Sequence, residues 1–550
     1  MRAYITTAGL SLAAALHAQL PVFQWAHQWG STDQDFAYDV ALDAAGNTIV
    51  VGDFKGTIDG DAGAGTNALT SAGGADAFVV KLDTAGDHLW SFRFGSTLED
   101  RAMAVDADAQ GDVIVTGRFS GTVDFDPGVG SYPLTSVGDQ DVFILKLAAD
   151  GSFVWARSVG SIYSDECYTV SADADGDVFV TGTLGEAADL DPGPAVYPFA
   201  IGTFLLKLDA AGQFLWAVKP ISSGGNVFRT CTNAAGDLFL TGRAGSGDFD
   251  PGPGVYTLTS AGSFDIFVSK LDTDGGLLWA RLMGGPGTEQ GNGIAVDASD
   301  KVFLTGWFDN GCNFDPGVSD TTLTTVNGGD AFVMRLNADG TFAWVFQEGG
   351  TTATADEGYG VAVDGQGLVY ITGQVLGTVD MDPGPGSFLL TTGSTNAIFV
   401  QCVLSDGTFQ WAFKVSAGPF LFNAGRSIRT DAQGRLRIAG QFEGANVDFD
   451  PGTGTYTMSV AGIDDAFVLA LSPDISTGFG PVHTEVSGVF PVPATERVFF
   501  GERLSGSIVD GRGVRVLGLV DANSMSVVGW PAGLYVLRCE DGRSLRFMVE

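Results

Sequence analysis

Six times along this chain two acidic or acid-like residues stand one residue apart, directly before a Pro-Gly pair. The copies are Asp124-Phe-Asp126, Asp189-Leu-Asp191, Asp248-Phe-Asp250, Asn313-Phe-Asp315, Asp380-Met-Asp382 and Asp448-Phe-Asp450, with a degenerate Asp59-Gly-Asp61 ahead of them. In an extended segment both acids point one way and the middle apolar residue points the other, into the core beneath. Two like charges held that close repel unless something neutralises them. Three chemistries fit. The pairs could ligate a hard cation, structural Ca²⁺ above all, through carboxylate and turn-carbonyl oxygens. They could meet basic side chains, for which the recurring Lys81, Lys146, Lys207, Lys270 and Arg335 are candidates. Or each Asp folds back to cap the backbone of its own Pro-Gly turn.

No other motif in the chain specifies a reaction. His27, His88 and His483 do not cluster in the repeat pattern, and no nucleophile elbow, zinc-protease, P-loop or dinucleotide fingerprint is present. A glycosidase needs only two carboxylates at a set separation, but such a site should break the repeat with unusual polar residues. The departures are Trp307, the uncharged crossover Pro220–Asn226, and Ser416–Arg426, whose Pro419, Phe420 and Phe422 suit contact with sugar or protein. The formal charge of −37 repels nucleic acid and anionic membranes.

The acid pairs must be held by a scaffold, and the chain supplies it as a repeat. A glycine followed four residues later by tryptophan recurs at Gly86/Trp90, Gly151/Trp155, Gly212/Trp216, Gly275/Trp279, Gly340/Trp344 and Gly407/Trp411, with tryptophans 61–67 residues apart. A period of that size marks a repeat architecture. Each repeat has four strand-like runs; in the second they are Ala102–Val105, Val113–Phe119, Val142–Leu147 and Phe153–Ser158. The second run recurs as V-x-V-T-G and the third as D-A-F-V-x-K-L, both alternating with the period of a strand. D-x-x-G turns join strand one to two and three to four, so one face carries tight hairpins. The acid pairs lie in the two–three loops, which share the opposite face with the crossovers, and long loops on a rigid scaffold are where binding usually sits.

Seven second strands and seven third strands can be counted, but no Gly-x-x-x-Trp strand follows the last, Ala466–Leu471. Val22–His27, with Trp25, stands ahead of the first repeat and can complete the last blade. The expectation is an all-β chain: a seven-bladed β-propeller of four-stranded blades over 19–473, closed by its N-terminal strand. The V-x-V-T-G, D-A-F-V-x-K-L and G-x-F-x-W elements resemble the bacterial seven-bladed β-propeller repeat family. That resemblance implies an exported or cell-surface protein.

Residues 1–18 have one Arg, a short apolar stretch and a small residue before Gln19, the pattern of a secretory signal peptide. After a linker at 474–487, residues 488–550 lose the repeat. Pro491, Pro493-Ala494, Pro531-Ala-Gly-Leu-Tyr535 and the finish Arg546-Phe547 resemble the C-terminal sorting domain of the Bacteroidota type IX secretion system, although Val492 stands where that family usually has Asn. The resemblance implies type IX secretion machinery as a partner, a small β-sandwich, and an address outside the cell or on its surface. Beyond the signal stretch no apolar run is long enough to span a bilayer. The five cysteines read as buried small residues, with Cys167 and Cys231 the one pair that could form a disulfide. The functional expectation is a glycan- or protein-binding propeller acting through its long-loop face. An extracellular polysaccharide-acting enzyme and a structural adhesion component are the alternatives.

Overall fold

The alternating runs form strands, and they pair in the expected order. The computed structural model describes residues 20–473, except 223, 316–320, 353–355, 394 and 417–422, and the strands at 489–490, 497–510, 515–526, 533–539 and 544–549. The described part of the first unit holds seven antiparallel four-stranded sheets. Blade 1 comprises Phe36–Leu42, Thr48–Phe54, Asp76–Leu82 and His88–Phe94, running from inner to outer strand. The inner strands of blades 2 to 7 are Arg101–Ala107, Glu166–Ala172, Gly225–Thr232, Gln290–Val296, Glu357–Val363 and Ala424–Thr430. They pack side by side in ring order, and that of blade 7 returns to that of blade 1.

Closure is as expected. Val22–Trp29 pairs antiparallel with Asp465–Ser472 and becomes the outer strand of blade 7. The Gly-x-x-x-Trp motif is the joint between blades. Trp25 donates its indole N–H to Thr84 O at 3.3 Å, Trp90 to Ala149 O at 3.2 Å, Trp155 to Ala210 O at 3.1 Å and Trp279 to Ala338 O at 3.1 Å. Each acceptor lies in the three–four turn of the next blade. The glycine of that turn takes a positive φ (Gly86 at 89°), and a Cβ there would strike the preceding blade's indole ring. One motif therefore makes the turn in its own blade and seats the tryptophan of its neighbour. Trp25 on Gly86 repeats the joint across the ends of the chain.

The recurring lysines belong to the tight-turn face. Lys81 pairs with Asp43 at 3.0 Å, Lys146 with Asp108 at 2.7 Å and Lys207 with Asp177 at 2.9 Å. Lys270 reaches Asp237 at 2.9 Å and, in the next blade, Asp300 at 2.8 Å. Arg335 donates to Ser405 O at 2.8 Å. These cations therefore do not neutralise the acid pairs of the two–three loops, contrary to that expectation. They stand at the end of strand three beside the D-x-x-G turns, whose largely buried aspartates need a counter-charge. Cys167, Cys231, Cys312 and Cys402 are free thiols, so the Cys167–Cys231 disulfide is not formed. Cys167 instead lies 3.0 Å from the Thr116 hydroxyl.

Residues 474–550 form a second compact unit. Its described strands make one antiparallel sheet ordered Val489–Phe490, Arg497–Asp510, Gly533–Cys539, Ser544–Val549, with Arg515–Ser526 paired to Arg497–Asp510. A second sheet, which a sandwich requires, is not among the described residues. The signal stretch 1–18, the linker 474–487 and Pro491, Pro493, Ala494 and Pro531 lie outside the described residues. Among the described residues no helix is long and apolar enough to cross a membrane.

Candidate functional site

The acid pairs are organised as turn caps. Each two–three connection is a short two-stranded ribbon, such as Thr57–Asp59 with Ala68–Thr70 in blade 1. In blade 2, Asp124 Oδ1 accepts the backbone N–H of Asp126 at 3.1 Å and of Tyr132 at 2.7 Å, and Asp126 Oδ1 accepts that of Gly128 at 2.8 Å. The same bonds recur at Asp189/Asp191, Asp248/Asp250, Asp380/Asp382 and Asp448/Asp450. Asn313 caps Asp315 N and Thr321 N. The Asp59/Asp61 copy, degenerate in sequence, caps in the same way. These bonds hold the Asp124 carboxyl below its ordinary range, the Ser131 hydroxyl foremost. The intervening residue is buried as expected: Phe125, Leu190, Phe249, Phe314, Met381 and Phe449 are each at most 1% exposed. Among the described residues no group of three or more His, Cys, Asp or Glu side chains is placed to hold a metal ion.

The ribbons fold outward. Tyr132 packs on Phe153, Tyr197 on Phe214, Phe388 on Phe409 and Tyr456 on Phe23, each at 4.7–5.1 Å between ring centres. Each partner belongs to an outer strand, so the acid-pair ribbons cover the circumference rather than the axis. Ser416–Arg426 has 417–422 outside the described residues. Trp307 lies beside Gly329 in its own blade, and the crossover Pro220–Asn226 ends at Asn226, which donates to the Tyr168 hydroxyl.

The axis carries a different arrangement. Every inner strand has a β-bulge at its third or fourth residue: pairing shifts between Ala37/Asp39, Ala102/Ala104, Cys167/Thr169, Val227/Arg229, Gly291/Gly293, Gly358/Gly360 and Gly425/Ser427. The cause is the glycine of V-x-V-T-G. At Gly52, Gly117, Gly182, Gly242, Gly306, Gly373 and Gly440 a Cβ would occupy the site of an inner-strand carbonyl oxygen (Phe36 O against Gly52, Arg101 O against Gly117). A missing side chain on strand two thus lets strand one bulge, and a bulge re-aims a side chain.

The seven re-aimed residues are Tyr38, Met103, Tyr168, Phe228, Asn292, Tyr359 and Arg426, and all of them line one pocket of about 220 Å³ with Arg229 and Gln290. Repeat symmetry is lost here. Tyr168 and Phe228 meet edge to face at 5.5 Å, and Asn226 donates to the Tyr168 hydroxyl at 2.8 Å. Gln290 donates to Asn292 Oδ1 at 3.0 Å, and Asn292 donates to Gly358 O at 3.0 Å. Arg426 lies over the Tyr359 ring at 4.9 Å with its Nε donating to Gln441 at 3.1 Å.

The next residue of each strand forms the layer beneath. Arg229 of blade 4 reaches Asp39 of blade 1 at 2.9 Å, across the ring. Asp39 also accepts from Arg429 at 3.3 Å, Ser427 at 2.6 Å and Val105 N at 3.2 Å. Burial pushes the Asp39 carboxyl up, but the two guanidiniums outweigh it and hold it below its ordinary range. This ionic bridge crosses the channel and gives the pocket a floor. Burial also pushes the hydroxyls of Tyr38, Tyr168 and Tyr359 above the ordinary phenol range.

Sequence reasoning placed binding on the long loops and missed these residues. The signal was nonetheless present. In the aligned runs FAYDV, RAMAV, ECYTV, NVFRT, QGNGI, EGYGV and AGRSI the middle column varies in size and chemistry while its neighbours are mostly small.

The fold and the site together define a seven-bladed β-propeller whose channel is closed by an ion pair beneath an aromatic, amide- and arginine-lined pocket. Among curated proteins it is similar to an uncharacterised WD repeat-containing protein of Acanthamoeba polyphaga mimivirus, 22% identical over 72% of this chain and 34% of that protein. It is also similar to regulatory protein FlaEY of Caulobacter vibrioides, 23% identical over 70% of this chain and 40% of that protein. The chain therefore spans well under half of either relative. No family model matches it. Among solved structures, U3-55K aligns over 82% of this chain and 99% of its own at 8% identity and a TM-score of 0.41. Quinohemoprotein alcohol dehydrogenase from Comamonas testosteroni aligns over 86% and 79% at 10% identity and a TM-score of 0.38. Likenesses of this size carry no functional argument.

Proposed function

We propose that this protein is an exported propeller that recognises a glycan by taking one sugar ring into the central pocket. The observation that carries this reading is the set of seven bulges, which aim one unlike side chain from each blade at a single point. Aromatic faces take up the apolar face of a pyranose while amides and arginine meet its hydroxyls, the mix of apolar walls and few polar groups typical of ligand sites. The pocket is smaller than the roughly 300–1,000 Å³ of most small-ligand sites, so it suits one ring-sized group with the rest of the glycan outside. Binding is favoured over cleavage. The lining holds no carboxylate, histidine or thiol, and its tyrosines are held in the neutral form, a poor state for a general base. A glycan array probed with the full chain, and read for both capture and cleavage, tests this: capture without cleavage is expected, and release of shortened products favours the enzyme alternative.

Delivery by type IX secretion to the cell surface or medium belongs to the same proposal. It is supported by the resemblance of 488–550 to a sorting domain and by the separateness of that unit. Loss of 485–550 should leave the propeller folded in the periplasm, and normal surface delivery without it would contradict this assignment.

A further inference from the structure

We infer that the sugar taken into the central pocket is acidic, a uronic-acid ring whose carboxylate is met by Arg426; this rests on the glycan-pocket reading above. The first argument is charge. The chain has 65 acidic and 28 basic side chains, yet the nine residues lining the pocket include two arginines and no acid. Arg229 is neutralised from below by Asp39. Arg426 is not matched in that way: its Nε is held by Gln441, its guanidinium lies over Tyr359, and among the described residues its two terminal nitrogens make no hydrogen bond or ion pair. Glu357 is the nearby acid: burial pushes its carboxyl up, against the Tyr359 hydroxyl and the charge of Arg426, and it makes no ion pair with Arg426.

A second arginine repeats the pattern. Arg243 lies over the rings of Phe228 and Phe264 at 5.6 and 5.2 Å, and its Nε donates to Asn226 at 3.1 Å. Among the described residues its terminal nitrogens also have no hydrogen-bond or ion-pair partner. Elsewhere Arg93, Arg101, Arg118 and Arg435 are each paired with a carboxylate. Two guanidiniums held over aromatic rings, Arg426 in the pocket lining and Arg243 behind its Phe228 wall, are preorganised for a planar carboxylate.

The second argument is shape. A carboxylate alone would not need the Tyr168–Phe228 platform or the Gln290–Asn292 amides. An acidic pyranose uses all three: ring face on the aromatics, hydroxyls on the amides, carboxylate on Arg426.

Titration calorimetry of the full chain with methyl glucuronide, methyl glucoside and a short Asp/Glu peptide tests the inference. The glucuronide should bind at least tenfold tighter than the glucoside, and that preference should weaken as salt is raised. Arg426→Gln should abolish the preference, bringing the glucuronide down to the affinity of the glucoside for the same variant, and Arg243→Gln should reduce it by a smaller factor. Equal binding of the two glycosides would overturn the acidic-sugar inference and leave the glycan-pocket reading standing. Binding of neither glycoside would overturn both. Tighter binding of the peptide would replace the sugar with a protein partner.

Discussion

Asp124 and Asp126 show how one residue pattern supports several chemistries until its hydrogen bonds are known. The pair looks like half a calcium site, yet one oxygen of each carboxylate is occupied by backbone N–H groups at 2.7–3.1 Å. An amide oxygen accepts the same bonds, as Asn313 does in blade 5. Asp124→Asn with Asp126→Asn should therefore leave the melting temperature within a degree or two. The alanine pair should cost about 1 kcal/mol per cap, the usual scale for losing such a bond. Calorimetry in millimolar Ca²⁺ separates the roles. Turn caps predict no Ca²⁺-dependent rise in melting temperature, whereas calcium sites predict a rise that the Asn pair diminishes.

The strand and the turn are the scale at which most of the structure was legible. Gly86 with Trp90, the D-x-x-G turns and the alternation of Phe78, Val80 and Leu82 report local geometry directly. The bulges were not read, because the glycine of V-x-V-T-G looks like a strand terminus until the neighbouring strand is in place. The lysines were candidates for the acid pairs but serve the other face, for a related reason. Alternation gives the side of the sheet a residue lies on but not the end of the strand its long side chain reaches.

The same scale carries the pH dependence. Aspartates just before the inner strands tie both loop segments: Asp100 accepts Ser120 N at 2.7 Å, Asp165 accepts Gly185 N at 2.8 Å and Asp356 accepts Leu376 N at 2.7 Å. Burial pushes Asp100, Asp141, Asp330 and Asp465 up to about 6 and Glu289, Asp356 and Asp464 up to about 7, against the backbone bonds that lower most of them. A carboxyl whose folded pKa is raised stabilises the fold below its unfolded pKa, near 4, and loses that contribution as pH rises through the folded value. The melting temperature should therefore fall between pH 5 and pH 8. A flat profile across that window would show that these acids are ionised in the fold at no cost.

At the scale of the whole molecule the ring is held shut by its two ends. Val22–Trp29 completes blade 7, Trp25 is buried and reaches Thr84 in blade 1, and Tyr456 donates to Ala26 O at 2.9 Å. Deleting Val22–His27 removes a strand as well as an indole whose truncation alone costs about 3–5 kcal/mol. The shortened protein should melt well below the parent or fail to fold. An unchanged melting temperature would mean that the ring closes some other way.

Ring closure also builds the site, because a point equidistant from seven blades exists only in a closed ring. The measurement that bears most directly on this account is glycan capture by Met103→Trp. Met103 lines the pocket and makes no polar bond there, so a larger side chain fills the cavity without disturbing the Asp39–Arg229 floor. The account predicts that captured glycans are lost while the melting temperature stays at the parent value. Full retention of capture by a folded Met103→Trp protein would place recognition elsewhere and contradict the central-pocket claim.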